Sequence, residues 1–448
     1  MAKNLMDRTA ETKTLEPLAL QVKRTRGAAR ELARLSTEQR NQILLAAADI
    51  LDSREVEILK ANHADVALLE HSVASGTASA ALLKRLKTSA AGIKDMARQV
   101  RDVAGLEDPV GCVLSTMELD ADLTLQKVSC PLGVVAVIFE SRPDVVPQVG
   151  SLAIKTGNGL VLKGGAEARQ TNRALVSIWH EALAAVSPSL RDAICALEDR
   201  AEIMQVLDME REIDLVVPRG STEFVNFVFQ HSRIPVLGHG SGICHIYVDS
   251  AADLNMVCEV ILDAKTQYPA ACNSVEKILV HQKVAEAFLP MLVTTLQSAG
   301  VEVRGCVKTA KLFPNPQIIP ATEEDWHSEY GDLKITIKIV RDVAEAIEHI
   351  NHYGSRHTES ILTQDNATAK LFMSEVDAAS VFHNASTRFA DGFRYGLGAE
   401  LGISNSKLHA RGPVGLEGLL TYKYKLHGSG QTVTDYVQGK RTFKHKRR

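Results

Sequence analysis

From Val134 onward the chain repeats one pattern, a short apolar run of strand-forming residues followed by a run with apolar residues at helical spacing. VVAVIF leads to a helix near Asp144 to Thr156, LVLK to a helix from Glu167 to Val186, and IDLVVP to a helix from Thr222 to His231. CHIYV, Cys244 to Val248, is expected to close this half. A second round follows: KILVH, a helix from Val284 to Leu296, KITIKIV, a helix from Val343 to His352, SILT, a helix near Ala367 to Glu375, and SVFH. Strands separated by helices build parallel sheets, so the pattern predicts two α/β halves, and ligands favour the crevice where two such halves meet.

The rest of the chain reads differently. Residues 17 to 105 carry helical periodicity, with Ser36 and Gln39 spaced as a capping box, a run from Val56 to Glu70, and another from Ser79 to Val103 in which Gly92 is a weak point. From Leu123 to Phe139 alternation gives way to a continuous apolar run, which predicts a surface strand, a bend from Pro131 to Gly133 and a buried strand. LLTYKYKLHGSGQTV alternates like an exposed strand pair, and such edges find partners. The tail GKRTFKHKRR is basic, and a solvated terminus is the preferred reading over a nucleic-acid or membrane-surface role.

At 448 residues there is room for two or three domains. A net charge of −3 gives no overall electrostatic case for a nucleic-acid partner. The start, MAKNLMDRTAETKTLEP, lacks the apolar core of a secretory signal, and no run of about 18 apolar residues occurs. A soluble, cytoplasmic protein with no membrane partner is expected. Seven cysteines with no CxxC pair suggest neither a disulfide framework nor a zinc site, and no metal is expected. Cys130, Cys195, Cys244 and Cys258 fall in strand or helix patterns and read as structural.

Cys272 differs. It lies in KTQYPAACNSVE, Lys265 to Glu276, between a helical run from Asp253 to Ala264 and an apolar run from Lys277 to His281. Pro269 blocks helix continuation and two alanines leave little bulk, so a substrate carbonyl has access to the sulfur and to backbone N–H donors. The two readings are a covalent nucleophile, with the Asn273 amide as an added donor, and an ordinary buried thiol. No GxGxxG occurs. LVLKGGAEA and VVPRGSTEF instead end strands in glycine and open helices, whose N-termini suit phosphate or ribose, and Lys163 adds a positive charge. Each is also readable as a plain strand-to-helix turn.

PLGVVAVIFESRPDV, LVLKGGAEARQTN, DLVVPRGSTEFV, IPVLGHGSGICHIYVD, DAKTQYPAACNSVEKILVH, SRHTESILT, HNASTRFADGFRYGLGAELGIS and KLHARGPVGLEGL together resemble the gamma-glutamyl phosphate reductases. These belong to the aldehyde dehydrogenase superfamily and also form the C-terminal half of bifunctional pyrroline-5-carboxylate synthases. The likeness runs from about residue 17 to about residue 437.

The resemblance implies an aldehyde-dehydrogenase-like α/β fold with two parallel α/β domains plus a small β oligomerisation arm. Residues 1–112 and 131–250 would form the NADPH-binding domain, 251–405 the catalytic domain, 113–130 and 418–437 the arm, and 438–448 the basic tail. It implies NADPH-dependent reduction of L-glutamate 5-phosphate to L-glutamate 5-semialdehyde with release of phosphate, in proline biosynthesis. With no kinase-like portion ahead of this domain, only the second of the two pathway activities is expected. A homodimer or homotetramer and an association with glutamate 5-kinase are also implied.

Cys272 matches the family's catalytic cysteine. Lys163, Gly164 and Glu167 match positions near the adenosine ribose, Gly220, Ser221 and Thr222 a turn near the pyrophosphate, and Glu329 a nicotinamide-ribose glutamate. FESRP places Glu140, Ser141 and Arg142 near the substrate, Glu140 for its ammonium group and Arg142 for its phosphate, with Arg388 a second candidate for the phosphate or the α-carboxylate and a structural ion pair the other reading of either arginine. Where hydrolytic relatives carry a water-activating glutamate, VLGHG puts Leu237, or with a one-residue shift Val236, and neither is a base. His239 or His245 is open as a base, with a hydrogen-bonded structural role preferred. The rivals are another acylating, CoA- or phosphate-dependent aldehyde dehydrogenase, and a catalytically silent scaffold.

Overall fold

The computed structural model describes residues 17–199, 201–238, 240–313 and 318–448. Five helices come first: α1 (Leu18–Leu32), α2 (Thr37–Ser53), α3 (Glu55–Ala74), α4 (Ala80–Leu86) and α5 (Ala90–Gly105). The capping box is present, with Ser36 Oγ accepting from the Gln39 N–H at 3.3 Å and Gln39 Oε1 accepting from the Ser36 N–H at 3.0 Å. The expected helix from Ser79 to Val103 is two helices. It breaks ahead of Gly92, where Ser89 caps α5 by accepting from the Gly92 N–H at 3.2 Å. Gly92 is there for space, since a Cβ would lie 2.7 Å from Thr88 Oγ1. Ile43, Leu44, Ala47, Ile93 and Val100 of α2 and α5 are fully buried against α6 (Val145–Lys155) and α7 (Arg169–Ala184). Each of the larger of these side chains, Ile43, Leu44, Ile93 and Val100, contributes about 1.5–3 kcal/mol when withdrawn from water.

The arm follows as β1 (Val113–Asp120) and β2 (Leu123–Pro131). The first parallel sheet contains β3 (Val134–Phe139), β4 (Gly159–Lys163), β5 (Ile194–Leu197) and β6 (Leu215–Arg219) in the order β5-β4-β3-β6. Every residue of β3 and β4 is buried, which explains why these strands read as unbroken apolar runs. Sequence reasoning missed β5, which is short and half-exposed. After α8 (Glu202–Leu207) and β6 comes α9 (Thr222–His231), with the predicted bounds.

The second sheet holds β7 (Cys244–Val248), β8 (Val275–His281), β9 (Glu302–Gly305), β10 (Ile319–Pro320), β11 (Lys334–Val340), β12 (Thr358–Leu362) and β13 (Ser380–His383), in the order β10-β9-β11-β8-β7-β12-β13, all parallel. The expectation that CHIYV closes the first half is corrected here. β7 hydrogen-bonds to β8 and β12, so the boundary set at residue 250 falls before Cys244. An apolar run declares a buried strand without declaring its neighbours. The boundary at 405 moves too, because Ala399, Leu401, Val414, Leu416 and Leu419 join the apolar cluster of β3 and α6, around the small hairpin of β14 (Gly402–Ser404) and β15 (Gly412–Val414).

The C-terminal region departs most from expectation. In place of a strand pair there is one strand, β16 (Leu420–His427), paired antiparallel with β2 from Leu420↔Pro131 to His427↔Thr124, and then a helix, Val433–Val437. The tail is solvated along its length, but it is not free: it returns to β1 as β17 (Lys446–Arg447), giving the arm the order β16-β2-β1-β17. The cause is charge on β1. Arg441 Nη1 lies 3.2 Å and Lys444 Nζ 3.6 Å from Asp120, and Arg448 Nη2 lies 2.6 Å from Glu118. Among the described residues no helix is long and apolar enough to cross a membrane.

Candidate active site

Helix α10 (Leu254–Thr266) begins at Asp253, whose Oδ1 accepts from the Asn255 N–H at 3.1 Å, and it ends short of Pro269. The connection to β8 carries Cys272 and is pinned at several points. The Ala271 N–H donates to the Tyr268 carbonyl at 3.2 Å, and the Ser274 N–H donates to the Ala271 carbonyl at 2.9 Å. Ser274 Oγ donates to the Ala264 carbonyl at 3.1 Å, and Cys244 Sγ to the Cys272 carbonyl at 3.3 Å. Gly242 passes directly behind, where a Cβ would come within 2.1 Å of that same carbonyl oxygen. A loop held this firmly keeps its sulfur in one place, the condition that reaction with a bound carbonyl would set.

Cys272 lines a cleft of about 760 Å³ where residues from both sheets converge. Glu140, Arg142, Arg219, Gly220 and Leu237 enter from the first sheet's side, and Asn273, Glu329, Arg388 and Glu400 from elsewhere. Glu140 also borders a second cavity of about 880 Å³, lined by Lys163, Gly164, Glu167, Phe139 and Phe224. The predicted residues thus gather in two adjoining spaces.

Asn273 lines the cleft, and one N–H of its amide donates to the Ala390 carbonyl at 2.7 Å, which ties the Cys272 loop to the segment bearing Arg388. One predicted role is corrected. Ser141 does not face the cleft. It sits fully buried at φ +29°, and both its N–H (2.9 Å) and its Oγ (2.6 Å) donate to Glu167 Oε1. That turn sends Glu140 and Arg142 to the cleft on either side. Glu140 meets a helix, with Oε2 accepting from the Ser221 N–H at 3.1 Å at the start of α9, where Ser221 Oγ also caps Phe224. A carboxylate resting there marks α9's N-terminus as an anion site.

The cleft's cations differ in their surroundings. Arg142 leans towards Asp144 at 3.5 Å with 45% of its side chain exposed. Arg388 is buried; its Nε donates to Gln267 Oε1 at 2.9 Å, its guanidinium lies 5.9 Å from the Tyr268 ring, and burial pushes its pKa down. Arg219, which ends β6, was overlooked within VVPRGSTEF because the glycine turn drew the attention. Its signal was a charged residue closing an apolar strand. Nη1 donates to Gln148 Oε1 at 3.1 Å, and burial, then the nearby Arg142 charge, push its pKa down to about 10. A thiolate at Cys272 helps keep Arg219 and Arg388 protonated, and by reciprocity their charges favour the thiolate. Burial raises the pKa of Glu400, which accepts from the Gly392 N–H at 2.7 Å.

Leu237 lies on the cleft wall at 3% exposure, whereas Val236 packs among the core residues around β6. Glu329 Oε2 accepts from the Gly242 N–H at 2.8 Å, and its loop is held on both sides, by Lys277 Nζ on the Ser328 carbonyl at 2.8 Å and by the Gly331 N–H on Glu276 Oε1 at 3.2 Å. His245 is fully buried behind the loop with Nδ1 3.0 Å from Glu359 Oε2, and burial pushes its pKa down to about 3, so it is a structural histidine. His239 lies outside the described residues. Among those residues no group of three or more His, Cys, Asp or Glu side chains is arranged to hold a metal ion.

Two parallel α/β sheets meeting over a loop-borne thiol, with an anion-binding helix N-terminus beside it, define a thiol-dependent dehydrogenase architecture. A family model described as the aldehyde dehydrogenase family matches residues 8–307. The gamma-glutamyl phosphate reductase of Cyanothece sp. is 53% identical, covering 92% of this chain and 94% of that one. That of Acaryochloris marina is 51% identical, covering 98% and 99%. The crystal structure of the Thermotoga maritima gamma-glutamyl phosphate reductase superposes with a TM-score of 0.89 at 42% identity, covering 93% of this chain and 100% of that one. The chain belongs to the aldehyde dehydrogenase family and, within it, to the gamma-glutamyl phosphate reductases.

Proposed function

We propose that this chain reduces L-glutamate 5-phosphate to L-glutamate 5-semialdehyde with release of phosphate, a step of proline biosynthesis, and that it draws the hydride from NADPH. The observation that carries this reading is Cys272 held on a pinned loop in a cleft lined by four arginines, Arg85, Arg142, Arg219 and Arg388, with the apolar Leu237 on its wall. Such cations suit a substrate bearing a phosphate and a carboxylate, and an apolar residue in place of a base at Leu237 suits a thioester that must outlast water.

The residues fit a nicotinamide cofactor. The Glu140 carboxylate already occupies the Ser221 N–H, so Gly220, Ser221 and Thr222 form a turn competent for the pyrophosphate. Lys163, Gly164 and Glu167 line the adjoining cavity and would take the adenosine ribose, and Glu329 lies on the Cys272 side for the nicotinamide ribose. When bound, the cofactor supplies hydride to the acyl carbon.

The chain's own residues do the rest. The Cys272 sulfur attacks the acyl phosphate carbon, the carbon–oxygen bond to phosphate breaks, and the thiol proton leaves with the phosphate. Backbone N–H groups of the loop stabilise the carbonyl oxygen as it gains charge. Asn273 holds the loop, and Arg142 and Arg388 hold the substrate's anionic ends. After reduction the sulfur departs with a proton and the aldehyde is free. The exposed Tyr422, Tyr424 and Leu426 of β16 support assembly through the arm into a homodimer or homotetramer.

Running the reaction backwards tests the reading. Oxidation of glutamate semialdehyde should require inorganic phosphate, should not respond to CoA, and should proceed at lower concentrations of NADP than of NAD. Oxidation without phosphate would overturn it.

A further inference from the structure

We propose that Glu276 and Lys277 are positioning residues that tie the Cys272 loop to the turn carrying Glu329, so that the sulfur and the carboxylate facing the cofactor are placed relative to one another from inside the second sheet. This role rests on the reading of Glu329 as the carboxylate for the nicotinamide ribose.

Lys265 stands in the last turn of α10 and Glu276 is the second residue of β8, and the stretch between them bears Cys272. Lys265 Nζ lies 3.2 Å from Glu276 Oε2, which closes that stretch at its base. The other oxygen of the same carboxylate, Oε1, accepts from the Gly331 N–H at 3.2 Å, and Lys277 Nζ donates to the Ser328 carbonyl at 2.8 Å. Two neighbouring residues of β8 thus hold the turn on either side of Glu329. Tyr330 is held as well, for the Lys277 ammonium lies 4.2 Å from the centre of its ring and its hydroxyl donates to Asp325 Oδ1 at 2.7 Å. Glu329 itself lines the cleft, where its Oε2 accepts from the Gly242 N–H at 2.8 Å. Gly242 is the residue packed against the Cys272 carbonyl.

Folding alone gives no account of these charges. Lys265 and Lys277 are 0% exposed and Glu276 is 1% exposed. Burial raises the pKa of Glu276 and lowers those of both lysines, and the attraction between the carboxylate and the two ammonium groups opposes that. Apolar side chains of similar volume often stabilise a core at least as well as a buried ion pair. What the charges add is geometry. A carboxylate holds two oxygens in fixed relation, and here one oxygen serves the Cys272 loop and the other the Glu329 turn. Hydride transfer needs the nicotinamide and the acyl carbon in register, and a displacement of about 1 Å costs on the order of a hundredfold in rate.

The test uses the intact chain oxidising glutamate semialdehyde with phosphate and NADP. Lys277→Met removes the hold on Ser328 and leaves Glu276 paired with Lys265. It should lower kcat/KM for NADP by about tenfold or more, as should Glu329→Gln, while the rate of iodoacetamide alkylation at Cys272 changes by less than about twofold. A lesion that merely loosened the whole cleft would move both. Because Lys277 acts through Glu329, the two losses should not multiply, and the double variant Lys277→Met/Glu329→Gln should resemble Glu329→Gln alone. The double variant Lys265→Met/Glu276→Leu removes both links of the carboxylate without leaving its lysine unpaired. It should lower kcat/KM for NADP and also change the alkylation rate by about twofold or more, and it carries the test if Lys277→Met does not fold by circular dichroism. An unchanged kcat/KM in either folded variant, losses that multiply with Glu329→Gln, or an alkylation rate that Lys265→Met/Glu276→Leu leaves untouched overturns the proposal while Glu329 keeps its role. If Glu329→Gln retains its kcat/KM for NADP, the reading of Glu329 fails and this proposal fails with it, and the reductase reading stands on Cys272.

Discussion

Leu237 faces the Cys272 cleft with 3% of its surface exposed, at the place where a hydrolytic enzyme would need a base. Leu237→Glu should therefore open a hydrolytic path, seen as oxidation of semialdehyde to glutamate that no longer requires phosphate. Burial will raise the new carboxyl's pKa, so the rate should climb towards mildly alkaline pH. Absence of phosphate-independent oxidation in the folded variant at any pH would mean that cleft shape, and not the missing base, keeps water away. The place of Cys272 on an open connection between a helix and a strand was legible because its surroundings are local: a proline and two alanines. Ser141 was misread because the partner that turns it, Glu167, lies 26 residues away along the chain, and nothing adjacent to Ser141 encodes that partner.

Behind the nucleophile loop, β7, β11 and β12 share a buried polar knot with the helix Val343–Tyr353. His245 lies beside Glu359, and His349 Nδ1 lies 2.9 Å from Lys338 Nζ with its ring 5.3 Å from that of Trp326. Burial pushes His349 down to about 2 and His245 down to about 3, and it pushes Glu359 up. Below the ordinary histidine pKa of about 6.5 the unfolded chain takes protons that these rings refuse, so the histidines' contribution is complete above that pH and declines as pH falls. Glu359 has the opposite sign. Above about pH 4.5, where an ordinary glutamate is ionised, its raised pKa favours a proton in the folded chain and works against the slope that the histidines set. Below about pH 4.5 that offset ends and the histidines' slope should steepen. Urea unfolding at pH 7, 6 and 5 should register the loss, and His349→Gln should flatten it; equal slopes in both proteins would refute the assignment. Periodicity revealed nearly every element of this region, but the sheet to which β7 belongs depends on strand pairing across the whole domain.

At the scale of the molecule, the basic tail is solvated as read, but its pairing with β1 was not legible because ten residues rich in lysine and arginine carry no apolar pattern. Their docking site, Glu118 and Asp120 on β1, lies more than three hundred residues earlier. Deleting residues 438–448 should uncover the β1 edge together with the exposed Val113 and Leu114, and sedimentation velocity should then show association that grows with concentration. A truncated protein that sediments like the full chain would rule out edge protection. The same topology also imposes an order on synthesis. β1 and β2 emerge from the ribosome early, yet the strands that flank them, β16 and β17, are made only after both parallel sheets have been translated. At roughly 5–20 residues per second that leaves the early hairpin bare-edged for some tens of seconds. The surface through which copies of the chain would join is therefore finished last, and until then the bare edges of β1 and β2 are open to pairing with a neighbouring nascent chain on the same messenger.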